Sequence, residues 1–274
     1  MPAVAIHRGF VEKTLTSLLH ALERASTSER IAEKRGALQH VDARVKLLGC
    51  LSLIVAAAVS RNLDTLTMLF AAVVVLALVS RVPLHLLTRA WAIIFFFTGA
   101  IALPALFTTE GQTVGTIAGL RVTLQGLRTA AFLVARVESA TTLGLLLVST
   151  TPWAQLVAAL RSLRVPAAVV LIISMTYRYL FVLLRSAEEM FVARRSRSVG
   201  RLEGAARRHM ATSTAGVLLG KALTLSDEVY LAMQARGFRG EVRLLEELRM
   251  RGRDWLAAAM FTAAALAAFW QGLR

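Results

Sequence analysis

A single cysteine, Cys50, excludes a disulfide framework and any cysteine-based metal centre in this chain of 274 residues. Its place inside an apolar run marks it as a small buried hydrophobe. The five histidines, His7, His20, His40, His85 and His209, are scattered over different segments and show no ligand spacing. No GxxxxGK[ST] phosphate loop occurs, so the chain is not expected to bind ATP itself. Acidic residues are scarce, 17 Asp and Glu against 32 Lys and Arg, which leaves a formal net charge of +15. Glu188-Glu189 and Glu246-Glu247 lie in charged stretches and read as solvated helix faces. With no nucleophile matched to a base and no metal cluster, neither an enzyme nor a resident cofactor is expected.

What the chain has in abundance is apolar sequence, 56% of its residues, with a mean hydropathy of +0.60. High charge and high hydropathy coexist only if they are segregated. Leu47 to Val59, Leu66 to Val79, Trp91 to Phe107, Thr129 to Ser149, Ala167 to Leu184 and Leu256 to Trp270 are apolar, while basic residues crowd before residue 47 and between 185 and 253. A nucleic-acid protein needs no six apolar blocks, so the partner implied is a lipid bilayer. The expected fold is all-α: a polytopic integral membrane protein of about five transmembrane helices.

Residues 1–43 are basic, with Leu15, Leu18, Leu19 and Leu22 at helical spacing, and predict a cytoplasmic N-terminal extension rather than a cleavable signal. Residues 44–149 predict a bundle of four spans, the first two joined as a tight helical hairpin around Arg61 to Asp64. The third leads to a Gly/Thr-rich loop, Thr108 to Gly119, without Lys or Arg. If Ala167 to Leu184 also crossed, the most basic part of the chain would lie outside, against the positive-inside tendency. That run is near the lower length limit for a span, so residues 150–253 are expected to form a cytoplasmic or interfacial helical module. Residues 254–274 supply a final span, and six spans are the alternative.

Within the module, Thr150-Thr151-Pro152 predicts a helix start, followed by an apolar stripe of Trp153, Leu156, Val157, Leu160 and Leu163. Val165-Pro166 breaks that helix. A long helix then runs to about Arg197, and a second from about Ser213 to Arg236, with Gly200 and Gly204 marking the turn. Both long helices finish on a small residue followed by arginine: Ala193-Arg194-Arg195 and Ala235-Arg236-Gly237.

Taken in order, Asp42-Ala-Arg-Val-Lys46, Thr150-Thr-Pro152, Thr176-Tyr-Arg-Tyr-Leu-Phe-Val-Leu-Leu184, Ala193-Arg194-Arg195 and Ala232-Met-Gln-Ala-Arg-Gly-Phe238 resemble the transmembrane T component of energy-coupling factor transporters, and most of all its CbiQ branch. The resemblance runs from about residue 38 to the C-terminus. It implies a coupling subunit in the bacterial cytoplasmic membrane, with its N-terminus and coupling helices in the cytoplasm. The implied partners are two cytoplasmic ABC ATPase subunits and a substrate-binding membrane S component of the CbiM type. The implied cargo is cobalt or nickel, with a vitamin such as biotin as the alternative. In that family the two Ala-Arg ends dock into the ATPases. Ala193 and Arg194 match the first end, and Ala235, Arg236 and Gly237 the second. Arg195 departs from the small residue common there, which leaves Arg194 or Arg195 as the principal contact.

The residue types suit such a joint. Alanine permits close helix approach, and arginine offers a planar, permanently charged fork for a carboxylate. Gly237 is suited to end a helix in the left-handed conformation. Within the fourth run, Arg136 and Glu138 stand near mid-membrane, where ionisable groups are costly. Two positions apart on a helix they do not face each other, so each needs another partner. A polar anchor inside the bundle and a contact with the substrate subunit are both open. A stand-alone channel is the remaining class, but only the fourth run is visibly polar.

Overall fold

The computed structural model describes residues 36, 38–109, 112–117, 120–197, 204–240 and 250–273. The N-terminal extension before residue 36 and the arginines at 201, 243 and 249 lie outside the described residues. The helices are α1 (Ala43–Val59), α2 (Leu63–Val79), α3 (Leu84–Thr108), α4 (Leu124–Thr150), α5 (Trp153–Ser162), α6 (Ala167–Ser196), α7 (Gly204–Ala235) and α8 (Gly252–Leu273). The expected loop after the third run holds β1 (Thr113–Ile117), which pairs antiparallel with β2 (Leu120–Thr123) directly after it. Threonine and β-branched residues at these positions suit a strand pair between two helices. α7 begins at Gly204, nine residues before the expected start near Ser213, because the glycine opens the helix instead of extending the turn.

The chain divides into two compact units, one holding Ser28–Ala159 with Glu246–Arg274 and the other Leu160–Leu245, together with N-terminal residues outside the description. In the first unit, α1 and α2 pack chiefly against α4 and α8 rather than against each other. The expected tight hairpin is therefore tight only in its turn, Ser60 to Asn62. Its core is apolar and includes Leu53, Leu66, Val73, Leu87, Leu143, Leu146 and Phe261.

Three contacts set α8 parallel to α1. Asp42 N–H donates to Asp254 Oδ1 at 2.9 Å, Gly49 abuts the Phe261 ring, and Gly272 abuts Ser60. The sequence offset is constant along the helices, so the two run side by side in one direction. Glycine is required at both approaches, since a Cβ on Gly49 would lie 2.5 Å from Phe261 and one on Gly272 2.8 Å from Ser60. α4 runs the other way. Lys46 Nζ donates to Thr150 O at 3.0 Å and Arg136 Nη2 to Ser60 O at 2.8 Å, a pairing that descends α4 as it climbs α1.

This register fixes a parity. α4 ends at the same end of the bundle where α8 begins, so the chain between Thr150 and Asp254 crosses any bilayer around the bundle an even number of times. By length and composition, Leu84–Leu106, Leu124–Thr150, Ala167–Ala193 and Gly252–Gly272 suffice to cross a membrane, and Leu63–Val79 is a shorter apolar helix. The limit on length invoked for residues 167–184 does not hold, because α6 has 30 residues. What opposes a lone crossing by α6 is the parity. A six-span chain in which α6 alone crosses would make α8 antiparallel to α1.

The outer faces are apolar. Ile93, Phe95, Phe96 and Phe97 on α3 and Leu256, Met260 and Leu266 on α8 are exposed, as expected of surfaces covered by lipid rather than water. Trp255 and Trp270, exposed at opposite ends of α8, occupy the positions that membrane-interface aromatics favour.

Candidate functional site

α7 ends in a complete Schellman motif. Phe238 N–H donates to Met233 O at 3.0 Å and Gly237 N–H to Gln234 O at 2.9 Å, with Gly237 at φ +81°. The left-handed residue is thus the one anticipated, and it satisfies carbonyls that a helix end leaves open. Arg236 occupies the C-cap, exposed, directly after the exposed Ala235. Its charge is held out from a backbone fixed by two hydrogen bonds.

Ala193 is exposed three residues before the end of α6, where Ser196 Oγ donates to Ala193 O at 2.8 Å. Arg194 and Arg195 lie in the same last turn, and their side chains fall outside the description. The two helices meet where Lys221 Nζ donates to Ser186 Oγ at 2.8 Å. Ala187 and Thr214 are buried.

Chain reach determines how these helices cross. Ser186 stands ten residues before Ser196, about 15 Å, and Lys221 seventeen residues after Gly204, about 26 Å. A parallel crossing would place Ser196 and Gly204 about 41 Å apart, beyond the roughly 29 Å that eight extended residues span. The helices therefore diverge in opposed directions from the contact. Ala193 lies about 10 Å along one arm and Ala235 about 21 Å along the other, so the tips stand about 25–33 Å apart. The sequence-predicted ends are not gathered into one pocket. They are two separated tips on one crossed pair.

The intramembrane residues are used differently. Half-buried Arg136 donates to Ser60 O at the C-cap of α1, where the helix dipole favours a cation. Its guanidinium also lies 4.7 Å from the centre of the Phe132 ring. Glu138 is buried at 6% exposure, and its Oε2 has no hydrogen-bond partner among the described residues. It begins a buried polar face with Ser139 and Thr142, and Thr142 Oγ1 accepts from Trp91 Nε1 at 2.9 Å. On α5, the buried residues are Val157, Ala158 and Ala159. Of the anticipated stripe only Val157 is fully buried, because the alanines allow closer approach than the larger side chains.

Sequence reasoning gave Lys46 no structural role, placing it in the basic approach to the first span and in a motif that carries the resemblance. It is 1% exposed, one of the largest side chains wholly enclosed. The available signal is the pairing of Asp42 with a lysine four residues later at a helix start. Among the described residues, no three His, Cys, Asp or Glu side chains gather as a metal site.

Comparison with known proteins identifies the family. The profile of a family of cobalt transport proteins, CbiQ, matches residues 34–246. An uncharacterised protein of Methanocaldococcus jannaschii is 28% identical over 270 residues, covering 96% of this chain and 92% of that one. The cobalt transport protein CbiQ of Rhodobacter capsulatus is 36% identical over 173 residues, 61% of this chain and 65% of its own. The energy-coupling factor transporter transmembrane protein EcfT of Listeria innocua is 27% identical over 214 residues, 74% and 81% of the two chains.

Proposed function

This chain belongs to the CbiQ family of cobalt transport proteins, and from that premise we propose that it transmits the motion of two cytoplasmic ATPases to a substrate-binding membrane subunit. It is a multi-pass membrane component of a transporter of the energy-coupling factor type. Ala193 with Arg194 or Arg195, and Ala235 with Arg236 and Gly237, are the ATPase-docking ends. The observation that carries this reading is Arg236, exposed on a helix end that Gly237 locks. Two tips about 25–33 Å apart on one crossed pair suit two separate docking sites better than one. When the ATPases move together, the crossed pair receives force at both arms.

The reading of five spans is supported by the parity of the chain between Thr150 and Asp254, which a lone crossing by α6 would break. The density of arginine in residues 150–253 supports a cytoplasmic location for them, together with the N-terminus. Exposed Val169, Ile172, Val217 and Leu219 then favour α6 and α7 lying against the membrane surface or the substrate subunit, not free in water.

The cargo is cobalt or nickel, a choice supported by the family and by the relative from Rhodobacter capsulatus. A vitamin such as biotin is the second reading, which the resemblance to energy-coupling factor transporters leaves open. Uptake of Co²⁺, Ni²⁺ and biotin by proteoliposomes holding the whole complex separates these. The coupling assignment is tested by Arg194→Ala combined with Arg236→Ala. At normal abundance, loss of ATPase co-purification and uptake is expected, and retention of both would sink it.

A further inference from the structure

Thr150 and Asp254 are the places where the chain leaves the bundle and returns to it, and one buried polar cluster holds both. Lys46 Nζ donates to Thr150 O, the last residue of α4, at 3.0 Å. Asp254 Oδ2 accepts from Arg251 N–H at 2.7 Å and so caps the start of α8. Its other oxygen is not needed for that cap. It accepts from Asp42 N–H at 2.9 Å, at the start of α1. Asp42 in turn caps α1 by accepting from Arg44 N–H at 2.8 Å.

Asp42, Lys46 and Asp254 are all buried. A buried ammonium persists only where opposite charge and acceptors compensate for lost water. Separate caps would hold each helix end alone. Here the same groups also join α1 to α4 and α1 to α8, where the chain runs on toward residues 160–245 and where it comes back from them.

We propose that Asp42, Lys46 and Asp254 form a clasp that keeps the exit from α4 and the entry to α8 at a fixed separation, so that force on the coupling helices moves α1, α4 and α8 as one body. Without it, the two connections would yield separately and part of the stroke would be absorbed in them. The clasp rests on the coupling reading, and its members are positioning residues that do not touch ATPase or cargo.

The test uses the full complex with its ATPases, spin-labelled at Ala154→Cys and Gly252→Cys in a Cys50→Ser background. Ala154 is exposed, and a side chain at Gly252 meets nothing within 4 Å. The native clasp gives one narrow label-to-label distance distribution that ATP does not broaden. Lys46→Met and the near-isosteric Asp254→Asn are expected to broaden it at least twofold when ATP is added, with ATPase co-purification unchanged. Distributions that stay narrow with ATP in both variants overturn the clasp. Broadening of equal size with and without ATP also overturns it, since that describes a static cap which carries no load. If the native chain captures no ATPase, the coupling reading fails, whereas a clasp failure leaves ATPase capture intact.

Discussion

Lys46 and Arg236 are both cations at helix ends, in different units of the chain, and they are treated in opposite ways. Lys46 is enclosed and engaged with Thr150 O, while Arg236 is exposed on a backbone fixed by Gly237. Arg136 sides with Lys46: α1 lends a cation to the C-terminal end of α4, and α4 lends one to the C-terminal end of α1. Lys46 and Arg136 are thus engaged on the bundle's own helix termini. Arg236 instead stands exposed at the end of α7. The contrast predicts that removing the first kind costs stability and removing the second kind costs association.

The largest expected effect is at Arg236. Arg236→Ala is expected to weaken ATPase binding by about 2–5 kcal/mol, read by titrating purified ATPase onto the chain in nanodiscs, with the melting temperature unchanged. Unaltered affinity would remove Arg236 from the docking end. Next comes Arg136→Ala, which leaves Ser60 O without its donor. A loss of about 1.5–3 kcal/mol in unfolding free energy is expected, with ATPase affinity preserved. An unchanged denaturant midpoint would mean that the Ser60 contact contributes nothing.

Gly49→Ala sharpens the comparison from the packing side. Its Cβ meets the Phe261 ring, so a cost of about 1–3 kcal/mol in stability is expected, again without effect on ATPase binding. Stability equal to the native chain would show that α8 can shift freely along α1. The smallest effect belongs to Gly237→Ala, about 1 kcal/mol for a left-handed alanine. It should appear as faster hydrogen exchange over Met233 to Phe238, and unchanged exchange there would discount the Schellman lock.

Much of this was legible because its causes are local. Apolar length marks spans, Thr150-Thr151-Pro152 marks a helix start, and Ala-Arg-Gly marks a helix end. The parallel register of α1 and α8 was not legible, since it depends on glycines and a ring brought together from distant parts of the chain. Lys46 was hidden for the same reason: beside Arg44 it looks like one more flanking charge, and only Thr150 and Asp254 reveal its enclosure. The hairpin of β1 and β2 went unread because threonine and glycine suit turns as well as strands. At α7, a glycine taken for punctuation proved to be the first helical residue.

Helix length has a further consequence for the lipid. α1 and α2 have 17 residues each and α3 and α4 have 25 and 27, about 26 Å against about 38–41 Å of helix. A hydrocarbon layer of about 30 Å must thin beside the short pair and is more than spanned beside the long one. Mismatch costs fractions of a kcal/mol per Å, so the short helices favour local thinning of the bilayer and the long ones favour tilt.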